Sequence, residues 1–297
     1  LTARENEGRG AEPSAYFRRI YDETPYFFNP DIDYTKYEFD KIKDVNIKQS
    51  YSFTSHIAVY ENCSLQYKFF KELGFIPVRT GSTLFGTLVH QTIEDIHRAV
   101  LRGENETITE PNITTWFENN YTNLSKRERS YLGSPQQDAA LKQVMKYAVK
   151  QNGDWARVMD AEVEVSHVEP DYILTGKVDL IRGEGNTVEV VDFKAERKPD
   201  MEKDKESIER YRRQLQLYAY IIEQRYGLSV SKMHLYYTGE TEGIPTISYD
   251  NRASDMTKTV MAIDKTVRKI QCRDFSGRAS SEKLCKSCDL KHYCGRI

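Results

Sequence analysis

Two short runs carry the residues best suited to chemistry: GKVDLI, which holds Asp179, and VVDFK, which holds Asp192 and Lys194. Side chains alternate along a strand, so Asp192 and Lys194 point to one face while Val191 and Phe193 point to the other. The Val and Phe neighbours make such a strand at least half buried, and charges there are costly unless they are paired or bind a metal. The strand pattern leaves two readings open, a buried Asp to Lys salt bridge or a site for a hard divalent cation. Magnesium takes oxygen ligands, usually one or two carboxylates completed by waters and phosphate oxygens. Such an ion acidifies a bound water and neutralises charge on a phosphate under in-line attack, and Lys194 beside it can orient the water or stabilise the pentavalent state. The implied reaction is phosphodiester hydrolysis.

Three further constellations stand apart in sequence. His90, in GTLVHQTIEDIH, lies at the edge of an apolar helical stripe with Gly86 one turn before it, so an imidazole nitrogen can face inward as a further ligand. A lone histidine on such a stripe is more often structural, and His97, two turns on, reads as a surface or packing residue. Gln214 and Tyr218, four apart on one helix face, offer an amide and a phenol to a base or phosphate, although helices carry such pairs often. Cys285, Cys288 and Cys294 lie within the last thirteen residues and find their fourth partner in Cys63, so together they clamp the two ends of one domain. Thiolates in a C-x2-C pair hold zinc or iron. Free buried or disulfide-bonded cysteines fit less well, because KLCKSCDLKHYC is too polar to bury three thiols. Cys272 falls outside the spacing and reads as ordinary packing.

These residues need elements to position them. Residues 1–50 read as an amino-terminal linker or arm, and 51–297 as one domain. Within it, helices are expected from Ser55 to about Phe75 and from about Ser82 to Leu101, where Phe85, Leu88, Val89, Ile93, Ile96 and Val100 repeat at helical spacing. Residues 112–151 read as a polar helical insertion. From about Ala161 the period becomes two: AEVEVSHVEP, YILTGKVDLI and TVEVVDFKA form a meander with a turn at RGEGN. A helix at 206–226, a strand KMHLYYTG and a helix at 254–271 lead into the cysteine cluster at 285–294. The order gives an α/β or α+β core with a small, largely antiparallel sheet.

Composition sets the class. With 39% hydrophobic and 30% charged residues and a net charge of -2, the 297-residue chain is an ordinary globular protein with no global excess of base for nucleic acid. Any basic groove must be local. Arg210, Arg212 and Arg213 beside Gln214 form one candidate strip, or else pair with Glu206 and Glu209 on a solvated face. No apolar run reaches membrane-spanning length and none has the signal-peptide form, so a cytoplasmic protein without membrane contact is expected. The polar start without Met suggests a domain cut from a longer polypeptide.

Taken together, the order H, GxxD, DxK and QxxxY, bracketed by a lone upstream Cys and a terminal C-x2-C-x5-C, resembles the RecB-like branch of the PD-(D/E)xK nucleases. The matching pieces are GTLVHQTIEDIH, LTGKVDLI, VVDFKAE and YRRQLQLYAY, between NCSLQYKFF and LCKSCDLKHYC, and the resemblance covers about residues 52–297. It is closest to the iron-sulfur subgroup of AddAB-type subunits, CRISPR-adaptation nucleases and nuclease domains fused to superfamily 1 DNA helicases. The phrases SFTSHIAVYENCSLQYKFF and KMHLYYTGE look most like the helicase-fused type.

The resemblance implies a restriction-endonuclease-like core, a small mixed sheet flanked by helices with its ends stapled by a metal cluster. It implies that His90, Asp179 and Asp192, with the Phe193 carbonyl, bind Mg2+ or Mn2+, that Lys194 is the catalytic lysine, and that Gln214 and Tyr218 lie near DNA. Cys63, Cys285, Cys288 and Cys294 would hold a structural 4Fe-4S cluster. Glu162 and Glu164 both fit a strand position where relatives often carry one acidic residue. The expected activity is a metal-dependent deoxyribonuclease, an exonuclease on single-stranded DNA ends in repair or recombination. Any helicase partner lies outside this chain, which has no Walker sequence. Two alternatives are a catalytically vestigial iron-sulfur DNA-binding scaffold and a zinc-stapled domain without nucleic acid.

Overall fold

The computed structural model describes residues 48–77, 81–151, 155–277, 279, 282–286, 288–291 and 293–294, with the dipeptides 5–6 and 9–10 and Arg19. The chain divides into two compact units, Leu1–Ile47 and Lys48–Ile297. In the first, Glu5–Asn6 and Arg9–Gly10 pair antiparallel. Most of the segment read as a linker or arm lies outside the described residues.

The second unit opens with strand β1 (Ser50–Ser52), a π-helical turn, and helices α1 (Ala58–Asn62) and α2 (Ser64–Tyr67). Helices α3 (Gly81–Leu101), α4 (Glu110–Glu128) and α5 (Ser134–Gln151) follow. Strands β2 (Val158–Val168), β3 (Ile173–Glu184) and β4 (Thr187–Lys194) form the expected meander. Then come α6 (Lys205–Tyr226), β5 (Ser229–Tyr237), β6 (Thr246–Asp250), α7 (Ala253–Gln271) and the short α8 (Glu282–Lys286). No described helix is long and apolar enough to cross a membrane.

The six strands make one mixed sheet in the order β1-β3-β4-β5-β6, with β2 along the other side of β3. β1 runs parallel to β3, and β5 runs parallel to β4. The sheet is therefore less antiparallel than the meander alone suggests. Its second parallel pairing follows from connectivity, because α6 is the crossover that carries the chain from β4 back to the start of β5. The turn predicted at RGEGN narrows to Gly185 and Asn186, with Gly185 at φ 58°, a left-handed value that a two-residue hairpin requires. The two strands absent from the sequence reading, β1 and β6, are short and lie at the sheet's margins.

Two cores lie on opposite faces. One packs Val188, Val190 and Leu235 of the sheet against Leu215, Leu217, Ile221 and Ile222 of α6 and Ile263 and Val267 of α7. The other packs Leu180, Val191 and Phe193 against Leu88, Val89 and Ile93 of α3 with Phe117 of α4 and Val144 of α5. Each fully buried aliphatic side chain stabilises the fold by about 1.5–3 kcal/mol, so α3 and α6 are pinned against the sheet from both sides. The 112–151 stretch is accordingly helical and contributes to the second core rather than standing apart.

Helix continuity is where the sequence reading fails most visibly. The helix expected from Ser55 to Phe75 breaks at Cys63, whose φ of -164° and ψ of 112° are extended. The helical pattern on both sides masks a single residue that leaves it.

Candidate active site

β3 and β4 pair from Glu184 and Thr187 down to Leu180 and Val191, and there the ladder stops. One step further, Asp179 comes opposite Asp192. Phe193 N–H, which would serve the next rung, donates instead to Asp179 Oδ2 at 2.7 Å. Alternation slips at the same place: Val178 packs in the core under α6 and Leu180 in the core under α3, although residues two apart on a regular strand share a face. Asp179 is thereby turned into the fork where the two strands part.

The neighbouring strand is deformed to match. On β2, Ala161 pairs with Leu180 and Val163 with Val178, which sets Glu162 opposite Asp179. Glu162 has φ 55°, a left-handed backbone that costs a non-glycine residue about 1–3 kcal/mol and is concentrated at functional sites. Its Oε2 lies 2.5 Å from Lys177 Nζ. Of the two acids that the sequence left open, Glu162 is the one set beside Asp179. His90, Glu162 and Asp179 can bring ligand atoms within 4.8 Å of one another, whereas Glu164 is exposed on the cleft wall and does not join them.

Two helices close on the fork from opposite faces. From α3, His90 Nδ1 comes within 3.4 Å of Asp179 Oδ2. From α6, Gln214 Nε2 donates to Asp192 Oδ1 at 2.9 Å and to the Tyr218 hydroxyl at 2.8 Å. The Q-x3-Y pair thus holds a carboxylate in place. Gly176 makes room for it, since a Cβ there would lie 2.5 Å from the Tyr218 ring. Lys194 Nζ sits 2.6 Å from Asp192 Oδ2 and 4.1 Å from the centre of the Tyr211 ring.

The electrostatics set the two carboxylates apart. Burial alone would raise Asp179, but His90, the Phe193 N–H and Lys194 outweigh it and hold the group below the usual carboxylate range. For Asp192, burial and the charge of Asp179 push the carboxyl up against the pull of Lys194. Burial would lower His90 and Lys194, yet Asp179 raises the first and Asp192 the second. Asp192 Oδ2, although close to Lys194, has no hydrogen bond of good geometry and is buried. A buried carboxylate oxygen whose close partner is an ammonium, beside a His, Glu and Asp cluster, is a donor set suited to a hard divalent cation, which would favour the charged form of every acid there.

Sequence expectations meet the structure unevenly. His90, Asp179, Asp192, Lys194, Gln214 and Tyr218 all line one cleft of about 660 Å3. Phe193, expected to offer its carbonyl, is tied to the site through its N–H. His97 is a packing residue, with Nε2 2.7 Å from the Tyr147 hydroxyl and its ring stacked on Phe193. Lys177 and Tyr211 were missed, and only the fold brings them to Glu162 and Lys194. The arginine strip is engaged: Arg213 forms a two-pronged pair with Glu61 at 2.7 and 2.9 Å, and Arg212 bonds Asp255 at 2.7 Å.

At the other end of the unit, Cys63, Cys285, Cys288 and Cys294 line a common cavity with Leu65, Phe69, Leu284 and Leu290. The break at Cys63 carries its thiol there. Cys272, read as a packing residue, is exposed instead, because it caps α7 where the helix leaves the body.

The profile of the PD-(D/E)XK nuclease superfamily matches residues 53–295, and the chain belongs to that superfamily. Among solved structures it is similar to a candidate exonuclease from Eubacterium rectale, with a TM-score of 0.57 and 12% identity over 88% of this chain and 94% of that one. At that identity the likeness shows the fold. A second structure, of SSO0001, aligns with a TM-score of 0.34 and 15% identity over 78% of this chain and 94% of that chain, too low to carry an argument. No curated protein matches the sequence.

Proposed function

We propose that this chain is a metal-dependent deoxyribonuclease, an exonuclease acting on single-stranded DNA ends in repair or recombination alongside a helicase domain or subunit. The observation that carries the reading is the fork, where Asp179, Asp192, His90 and Lys194 converge although they come from three separate elements. His90, Glu162, Asp179 and Asp192 would hold Mg2+ or Mn2+, which when bound supplies an acidified water and neutralises charge at the phosphate. Lys194, already charged and held by Asp192 and the face of Tyr211, is placed to stabilise the pentavalent phosphorane. Gln214 and Tyr218 fix the rotamer of Asp192, and the Phe193 N–H fixes that of Asp179. That His90, Asp179, Asp192 and Lys194 are all present together speaks against a vestigial scaffold.

For the cysteine end we infer a 4Fe-4S cluster. What supports the reading is that Cys63, Cys285, Cys288 and Cys294 line one cavity walled by Leu65, Phe69 and Leu290, and that four thiolates are the usual ligand set of such a cluster. Protein purified without oxygen should be brown and carry iron and sulfide; stoichiometric zinc with neither would remove the cluster from the reading.

The deciding measurement is a time course on end-labelled single- and double-stranded DNA with magnesium, manganese or EDTA. Metal-dependent shortening from the ends of single strands is expected. Cleavage that persists in EDTA, or attack on intact circles as fast as on linear single strands, would overturn the metal or the end requirement respectively.

A further inference from the structure

Among the described residues three clefts meet at the fork. A first, of about 660 Å3, and a second, of about 640 Å3, share His90 and Lys194, and a third opens over Glu162 and Asp179 beside Arg127. The first two differ in chemistry. The second is walled by Phe85 of α3, Pro135 and Ala139 of α5, and Tyr211 of α6. Phe85 and Tyr211 are half-buried. One face of Tyr211 is taken by Lys194, and its hydroxyl bonds Glu196 at 3.3 Å, so Phe85, which packs against the second core and makes no ring contact among the described residues, is the ring the cleft offers to a base.

The first cleft is floored by the sheet itself. Ser52 pairs with Thr175 and Thr175 with Ser166, so three hydroxyls lie in one row across β1, β3 and β2. Those of Thr175 and Ser166 make no hydrogen bond among the described residues, whereas the Ser52 hydroxyl is engaged, accepting from Ser55 N–H at 3.3 Å and lying 3.3 Å from His56 Nδ1. Directly opposed residues on adjacent strands point to the same face, and Thr175, Lys177 and Asp179 line one cleft. Thr175 lies four steps along β3 from Asp179, or about 13 Å, so the row crosses the cleft at that distance from the fork, at right angles to β3.

Resting on the nuclease reading, we propose that one single strand of nucleic acid occupies the first and second clefts in unlike ways. The base beside the scissile phosphate enters the aromatic cleft against Phe85, and the backbone on the other side of that phosphate crosses the row at Thr175 and Ser166. Hydroxyls recognise phosphate oxygens without reading sequence, and an aromatic face accepts any base. A paired and stacked base cannot enter such a cleft, so the aromatic wall selects unpaired ends.

Binding of fluorescein-labelled oligothymidylate in EDTA separates affinity from chemistry. Phe85→Ala should raise Kd about 10-fold, the effect of losing one base stack. Phe85→Leu, which keeps the side chain's packing, should raise it nearly as much. An abasic site moved along the strand should weaken wild-type binding at one position beside the cleaved bond and leave Phe85→Ala unaffected at that position. Thr175→Val with Ser166→Ala should raise Kd several-fold whatever base is present. Unchanged Kd in both Phe85 variants, or an abasic profile identical to that of wild type, overturns the inference while cleavage of DNA leaves the nuclease reading standing. A wild-type protein that neither binds nor cleaves nucleic acid overturns both.

Discussion

The fork and the cysteine end both gather residues from distant parts of the chain, yet they are held in different ways. At the fork each charged group has a protein partner: Lys194 for Asp192, His90 and the Phe193 N–H for Asp179, Lys177 for Glu162. The strands and helices beneath it belong to two packed cores. At the cysteine end, α8 spans only Glu282–Lys286, and the thiols find weak partners, Gln66 Nε2 at 3.8 Å from Cys288 Sγ and the Lys291 carbonyl at 3.5 Å from Cys294 Sγ. The geometry of the fork is stored in the protein, whereas on the proposed cluster reading the cysteine end would draw its binding energy from the group it holds. The two ends should therefore fail in opposite ways.

Asp192→Asn tests the first half of that contrast. It keeps the side chain's shape and its bond to Gln214 but removes the charge, so cleavage should fall about 10³-fold or more while the melting temperature stays within a few degrees. A large loss of stability with activity retained would reverse the assignment. Cys63→Ser should do the opposite. Losing about 3 kcal/mol of ligand-held stability would lower the melting temperature by roughly 6–12 °C, with iron and sulfide lost and manganese affinity at the fork retained. Cys272→Ser, at an exposed position, should leave the melting temperature where it is. Equal melting temperatures for the two variants would show that no ligand holds the clamp.

Within the fork, Glu162→Gln should weaken manganese binding about 10- to 100-fold, and Glu164→Gln should leave it within about twofold, measured by calorimetry without substrate. The reverse order would give the metal to the exposed wall. The smallest effect concerns the support behind Phe193. Burial holds His97 down to about 3 against the weaker opposing charge of Asp179, so the native state refuses a proton that the unfolded chain accepts near 6.5. A depressed histidine makes stability fall as pH drops below about 6.5, by about 2 kcal/mol between pH 7 and pH 5. His97→Leu loses the Tyr147 bond at both pH values but should show a shallower decline between them in urea midpoints.

Much of this was legible because the signals are local. Period-two patterning located β2, β3 and β4 within a few residues, and the stripe on α3 located a helix pinned to the sheet. Asp192 and Lys194 were readable as a pair since alternation is a property of the strand itself. Short strands such as Ser50–Ser52 carry too few residues for a period, and they are held only by partners far away in sequence. The break at Cys63 was passed over although Asn62 and Ser64 beside it favour helix ends, because the apolar pattern runs on to either side.

The sequence by itself determined which groups were available: two carboxylates and a lysine at strand spacing, a histidine on an apolar helix, and cysteines at both ends of a domain. Only the tertiary structure decided what each one does. It set Glu162, and not Glu164, opposite Asp179 on a left-handed backbone, turned Gln214 and Tyr218 onto Asp192, tied the arginine strip to Glu61 and Asp255, and brought a second cleft to His90 and Lys194. The physical reason is range: alternation and helical period act between near neighbours, whereas the place where two strands part depends on every element packed against them.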